Sequence, residues 1–174
     1  MKAPRFCPDC AAPLDSAEHG GLQRLACTGA DCAYVHWDNP TPVVAAVVEY
    51  RGKIVLARNK AWPGPFFALI TGFLEKNEVP HEAVLREVEE ELGLRGEVAS
   101  FIGHYGFERM NQLIIAYHVR AEGEIVLGEE LAEYRLEDYA DIVPWPAATG
   151  LALYDWLKAQ GHEPPTPRWT VRPE

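Results

Sequence analysis

Apolar residues follow two periods along this chain. Short β-branched runs, "VVAAVVEY" (Val43–Tyr50) and "KIVLAR" (Lys53–Arg58), flank Arg51–Gly52 and predict a β-hairpin. "FALIT" (Phe67–Thr71), "VASFIGHY" (Val98–Tyr105), "QLIIAYHVR" (Gln112–Arg120) and "AEYRLE" (Ala132–Glu137) predict further strands, with a turn at "AEGE" followed by "IVL". Helical spacing appears twice. The first stretch starts at Pro80, where the missing N–H costs nothing, and stops at Gly93. Val79 is a poor cap for it, so the preceding loop must serve its first amides. The second stretch, "AATGLALYDWLKAQG", closes at Gly161. "NKAWPGPFF" reads as a loop and "WDNPTP" (Trp37–Pro42) as a linker. The outline is an α/β sandwich: a mixed sheet with at least two helices. Residues 162–174 form a Pro-rich tail.

Composition narrows the class. The 174 residues are 48% apolar and 24% charged, which is ordinary globular usage and suits one medium domain with a small appendage. A net charge of −10 argues against broad binding to nucleic acid or to an anionic membrane. An anionic substrate would therefore need cations or a local basic cluster to receive it. No apolar run approaches the roughly 18–20 residues of a bilayer span. "MKAPRFCPDC" has no apolar signal region, which points to the cytoplasm.

All four cysteines fall near the start of the chain: Cys7, Cys10, Cys27 and Cys32. Two short pairs joined by a longer span suit a tetrahedral four-thiolate zinc site. Gly20–Gly21 mark a hairpin end between the pairs. The alternatives are two disulfides, which a cytoplasmic setting disfavours, and a redox-active "CPDC", which lacks the βαβ setting of that motif. His19 and His36 are nearby and read as surface residues. A unit of residues 1–38 is too small to fold on apolar burial alone, so a metal staple is physically sensible. Four protein ligands leave no open position, so this zinc is structural.

The helix from Pro80 crowds acids. Positions i, i+3 and i+4 of a helix share one stripe, and here they are Glu87, Glu90 and Glu91. Val84, Leu85, Val88 and Leu92 form the adjacent apolar stripe, while Glu82 and Glu89 point away. Like charges at this spacing repel by a few tenths of a kcal/mol, roughly, per pair. On a solvated face this is tolerated; beside a buried stripe, a divalent ion such as Mg²⁺ turns the repulsion into binding and shares its sphere with substrate phosphates.

Gly72, Glu78, Arg86, Glu87, Val88, Glu90, Glu91, Gly93 and Leu94 fill every fixed position of G-x5-E-x7-R-E-U-x-E-E-x-G-U, where U is a bulky aliphatic. At ordinary residue frequencies a chance match arises about once in ten million such chains, which sets accident aside. The chain therefore resembles the Nudix hydrolases over residues 41–161. The resemblance implies an α/β/α sandwich with a mixed sheet, preceded by a small zinc ribbon. It implies hydrolysis of a nucleoside diphosphate linked to a group X, such as NADH, FAD or ADP-ribose, with release of a nucleoside monophosphate. Mg²⁺ or Mn²⁺ would be held by Glu87, Glu90, Glu91 and the Gly72 carbonyl, with Arg86 and Glu78 holding the glutamates. The "LGEELAEYRLE" stretch resembles the E-L-x-E segment of NADH pyrophosphatases, which gives Glu130 as a further metal-binding residue and Glu133 as second choice.

The ribbon and "ITGFLE" also resemble the NADH pyrophosphatase branch. One departure is clear: "SFIGHYGFERMNQ" (Ser100–Gln112) stands where that branch carries SQPWPFPxS. A "PWP" does occur at Pro144–Pro146, more than thirty residues later, and reads as coincidence. Aromatic residues could sandwich an adenine: Tyr105 and Phe107 lie in the substituted segment, and Trp62, Phe66 and Phe67 precede the box. Arg109 or Arg58 could meet phosphate. The small-molecule nucleotide is the expected partner, and zinc-ribbon relatives often pair as homodimers. The reading from a different class is a ligand-sensing or partner-binding module without turnover.

Overall fold

The structure is a computed structural model and describes residues 3–168. The chain folds as two compact units, Met1–Asn39 and Pro40–Glu174. Residues 169–174 of the Pro-rich tail lie outside the described residues.

In the first unit, β1 (Leu14–His19), β2 (Leu22–Cys27) and β3 (Val35–His36) form an antiparallel ribbon in that order. Gly20 and Gly21 join β1 to β2 with φ of 62° and 77°, the left-handed pair that matches strand twist in a two-residue hairpin. Cys7 and Cys10 occupy a turn before β1, Cys27 ends β2, and Cys32 lies in the connection to β3. Thr28 links the two cysteine turns by donating its amide and its hydroxyl to the Pro13 carbonyl. Cys7 is the one fully buried residue among those described in this unit.

The second unit holds a six-stranded mixed sheet. Its strands are β4 (Thr41–Tyr50), β5 (Lys53–Asn59), β6 (Ile70–Phe73), β7 (Arg95–Phe107), β8 (Gln112–Glu122) and β9 (Leu131–Glu137). The order is β7–β8–β4–β5–β9. β4 and β8 run parallel, while one edge of β4 is divided between β5 (at Val48–Tyr50) and β6 (at Val43–Ala46). Six consecutive buried residues, Val43–Val48, identify β4 as a central strand covered on both faces. Val44, Ala46 and Val48 pack with α1 (Pro80–Leu92), whereas Val43, Ala45 and Val47 pack in the clusters of α2 (Ala148–Ala159). The result is an α/β/α sandwich.

Several boundaries shift from the sequence expectation. Thr41 and Pro42 belong to β4 rather than to a linker, because they pair with Gln112 and Leu113 of β8. β6 moves from "FALIT" to Ile70–Phe73, since β4 has free edge only at Val43–Ala46; Ala68 instead makes one isolated bridge to Ala57. β7 is longer than expected and begins at Arg95, with Leu94 between it and the Gly93 stop. Ile125–Leu127 is not a strand; the Val126 amide donates to the Leu92 carbonyl and ties this segment to the end of α1. Among the described residues no helix is long and apolar enough to cross a membrane.

α1 starts as its sequence implies. Val79 is extended and gives no side-chain cap, Pro80 takes the first position, and Gly93 closes the helix with φ 67° and its amide on the Glu89 carbonyl. Val84, Val88 and Leu92 are fully buried, together worth about 5–9 kcal/mol of apolar transfer. That far exceeds the repulsion among the neighbouring glutamates, so packing against the sheet fixes where those carboxylates stand.

Candidate active site

α1 carries Glu87, Glu90 and Glu91 along the rim of the sheet, opposite β6. Glu87 is held tightly. A Cβ on Gly72 would overlap its carboxyl group, so glycine at that point of β6 leaves the carboxyl its place. Arg86 organises the surrounding acids. Its Nε and Nη2 donate to the two oxygens of Glu78 at 2.7 and 3.1 Å, and Nη1 donates to Glu87 at 2.7 Å and to Glu90 at 3.1 Å. Nη2 also donates to the Phe73 carbonyl at 3.3 Å. Glu78 in turn accepts the Glu75 amide. The two-pronged contact with Arg86 lowers the Glu78 pKa, while burial raises that of Glu87 in spite of Arg86.

Glu91 differs from its neighbours. No hydrogen-bond donor or basic group pairs with it among the described residues. Burial, followed by the charges of Glu87, Glu130 and Glu90, pushes its pKa up to about 8. A half-buried acid facing three others is a site short of positive charge.

Glu130 comes from the loop before β9, which is fastened from two sides. Against α1, Gly128 donates its amide to the Glu91 carbonyl, and a Cβ at Gly128 would overlap the α1 backbone. From β5, Asn59 Nδ2 donates to Glu130 Oε2 at 3.3 Å, and the following Lys60 donates through its amide to the Glu130 carbonyl and through Nζ to that of Glu129. Asn59 sits at a register shift in the β5–β9 ladder, which turns it toward this loop. Glu133, by contrast, pairs with Arg58 at 2.7 Å on the strands.

These acids border a cavity of about 920 Å³ at the end of the sheet. Glu87, Glu90, Glu91, Glu129, Glu130 and Gly72 line one part of it. Trp62 and Phe66 of the β5–β6 loop, Phe107, and Trp145 just before α2 line much of the rest. Arg109 is the one basic residue among the lining residues. Tyr105 is not among them: its hydroxyl donates to Asp155 on α2 at 2.7 Å, and burial, with that acid beside it, raises its pKa. Phe67 is buried beneath the Arg135 guanidinium, 3.9 Å from the ring centroid, and does not line the cavity. Sequence reasoning passed over Trp145, set aside with "PWP", and missed Asn59 and Gly128. Nothing in the local pattern of these three residues distinguishes them from loop residues.

In the first unit the Sγ atoms of all four cysteines lie within 4.8 Å of one another; Cys7–Cys32 is 3.7 Å and Cys10–Cys27 3.4 Å. Those separations are too long for disulfides, whose S–S length is about 2.05 Å. They suit the edge of a tetrahedron with Zn–S near 2.3 Å, about 3.8 Å. The donor set thus fits zinc. His36 stands apart, 3.7 Å from Asp38.

The NUDIX domain pattern matches residues 39–157, more than half of the chain. The chain belongs to the Nudix family. Among curated proteins it is similar to the NAD-capped RNA hydrolase NudC of Stutzerimonas stutzeri (strain A1501), with 26% identity over 152 residues covering 86% of this chain and 54% of that one. The NudC of Vibrio atlanticus (strain LGP32) is 27% identical over 113 residues, 65% of this chain and 40% of its own. The chain spans about half the length of the curated relatives it matches. Among solved structures, a NUDIX hydrolase from Nitrosomonas europaea superposes with a TM-score of 0.75 at 23% identity, covering 95% of this chain and 97% of that one. An ADP-ribose pyrophosphatase from Streptococcus suis 89-1591 gives 0.59 at 19% identity, covering 75% and 98%. Both likenesses establish the Nudix fold.

Proposed function

We propose that this Nudix protein is a divalent-metal-dependent pyrophosphohydrolase. Its substrate would be a nucleoside diphosphate linked to a group X, and a nucleoside monophosphate would be released. The observation that carries this reading is the gathering of Glu87, Glu90, Glu91 and Glu130, with Glu91 unpaired among the described residues, at one end of a cavity whose remainder is largely apolar. Those carboxylates, with the Gly72 carbonyl beside Glu87, are hard oxygen donors suited to Mg²⁺ or Mn²⁺. When bound, such ions neutralise phosphate charge and lower the pKa of attacking water. Arg86 positions Glu87 and Glu90 through its Nη1 contacts. Asn59 and the Gly128 contact hold Glu130 toward α1. Arg109, from the wall formed by the β7–β8 turn, supplies positive charge to the diphosphate. The four-cysteine cluster holds a structural zinc.

Among substrates, ADP-ribose, NADH and FAD share the diphosphate that such a site addresses. An NAD-capped RNA carries it too, and the names of the NudC relatives make it a comparison worth including. Incubation with each of these in Mg²⁺ or Mn²⁺ should release AMP from at least one free dinucleotide or from ADP-ribose, and Glu90→Gln should bind substrate without turnover. Tight binding with no hydrolysis across the panel would favour a ligand-sensing module instead.

A further inference from the structure

The Pro-rich tail has a definite course in its described part, residues 162–168. It follows two passes of the chain between the ends of the sheet. In the first, residues 138–147 lead from β9 to α2 without regular structure. They start where Glu137 pairs with Ile54, near the β4–β5 turn, and end where Trp145, Ala147 and Ala148 line the cavity. In the second, the 12 residues of α2 lead away from the cavity again, over about 18 Å. After Gly161 the tail turns back toward it.

Two contacts fix that return. Far from the cavity, the His162 ring lies 5.0 Å from the Tyr139 ring, and the His162 amide donates to the Leu157 carbonyl. At the cavity end, the Arg168 amide donates to the Pro144 carbonyl at 2.9 Å. The steps from His162 to Arg168, at about 3.1 Å each in a polyproline conformation, cover about 19 Å and so match the length of α2. Pro164, Pro165 and Pro167 restrict the free chain to such backbone, which lowers the entropy lost on docking. His162, Pro164 and Pro167 are half-buried, while Glu163, Pro165 and Thr166 are exposed. The tail thus lies along residues 138–147 and is tied to them at both ends.

We infer that residues 162–168 are a strap that positions the cavity wall at residues 144–147. A Cβ on Gly150 would overlap Trp145, so that residue already stands against α2 with no room to approach it further. The Arg168 amide holds the main chain one residue before it. Pro144 and Arg168 are more than twenty positions apart, and the strap carries a constraint from the end of the chain to the wall of the site. The effect on a substrate rests on the pyrophosphohydrolase reading; the strap itself does not.

The test removes one donor from the full chain. Arg168→Pro deletes the amide hydrogen and suits an extended backbone, whereas Arg168→Ala keeps the hydrogen and loses only the side chain. Arg168→Pro should speed amide exchange at Ala147 and Gly150, whose own bonds close the turn into α2, and should raise KM for ADP-ribose. Each change should be about threefold to tenfold, the worth of one hydrogen bond, with kcat within about twofold. Arg168→Ala should leave both readouts within about twofold of the wild type. His162→Ala should add to the effect of Arg168→Pro, and His162→Phe, which keeps a ring on Tyr139, should not. Unchanged exchange in Arg168→Pro, equal behaviour of Arg168→Pro and Arg168→Ala, or faster exchange with KM unchanged overturns the positioning role and leaves the hydrolase reading intact. If the wild type releases no AMP, the hydrolase reading falls instead. A Kd for ADP-ribose raised by Arg168→Pro and not by Arg168→Ala then sustains the strap, and an unchanged Kd overturns it.

Discussion

The two units each gather like-charged ligand groups, but they do so in opposite ways. In the ribbon, four sulfurs already sit within 4.8 Å of one another, and Cys7 is the only fully buried residue described there. The cluster is itself the core. In the Nudix unit, Val84, Val88 and Leu92 anchor α1 to the sheet without help from any ion, and a second layer of packing covers the other face. Its carboxylates are not drawn to a point: among the described residues, the cysteines are the one group of three or more Cys, His, Asp or Glu side chains whose ligand atoms all lie within 4.8 Å of one another. Arg86 holds Glu87 and Glu90, and Glu91 and Glu130 face each other unneutralised. A closed, saturated site maintains a fold. An open set of acids on an independently stable scaffold is free to share its ions with a substrate.

The contrast can be broken most severely at the ribbon. Structural zinc contributes about 10–16 kcal/mol in small zinc-finger units. Cys7→Ser, or extraction of zinc by a chelator, should therefore unfold the ribbon's strands, seen as loss of amide-exchange protection across Leu14–His36. Protection in β4 and β8 should persist.

The corresponding change in the Nudix unit should act in reverse. Glu91→Gln replaces a half-buried carboxyl whose ionisation burial and three acids oppose, so thermal unfolding should occur at the same temperature or a few degrees higher. Activity should fall on the order of a thousandfold, the several kcal/mol that a correctly held metal supplies. A marked loss of stability would mean that the carboxylates, like the thiols, hold the fold together.

Gly72→Ala sharpens the account of position. Its Cβ would displace the Glu87 carboxyl, and misplacement by about 1 Å costs roughly a hundredfold in rate. Calorimetry should show little change, because Gly72 is half-buried on a short strand. Arg86→Lys keeps the charge and loses the fork to Glu78, and should lower kcat by about tenfold.

The smallest effect concerns His118, 4% exposed and paired with Glu49 at 2.8 Å, with Arg120 and Tyr139 facing the same carboxylate. Burial lowers its pKa below 6.5, so the folded state holds it neutral. The unfolded chain takes up the proton first. Stability should thus be full above pH 6.5 and decline as pH falls through the folded value. The decline should shift melting by under about 3 °C, measurably less in His118→Gln.

Much of this organisation was legible in the chain. The glutamate stripe and the cysteine pairs depend on spacing along one helix or one pair of turns, and spacing survives in a sequence; the Arg86–Glu78 arrangement, with Glu78 ahead of the helix, was implied by the family resemblance. Both faces of β4 could be read from its unbroken apolar run. What could not be read depends on register and on loops. β6 slid because β4 divides one edge between two strands, and Tyr105 turned to Asp155 of a distant helix. Trp145 is separated from Trp62 by more than eighty positions and reaches the same cavity only because α2 returns to the end of the sheet.

The most direct test of the central claim is a crystal soaked in Mn²⁺ with a non-hydrolysable ADP-ribose analogue, read by anomalous scattering. Peaks coordinated by Glu87, Glu90 or Glu91 and by the analogue's diphosphate are the result expected. Clear density for the analogue with no anomalous peak beside those carboxylates would contradict the account.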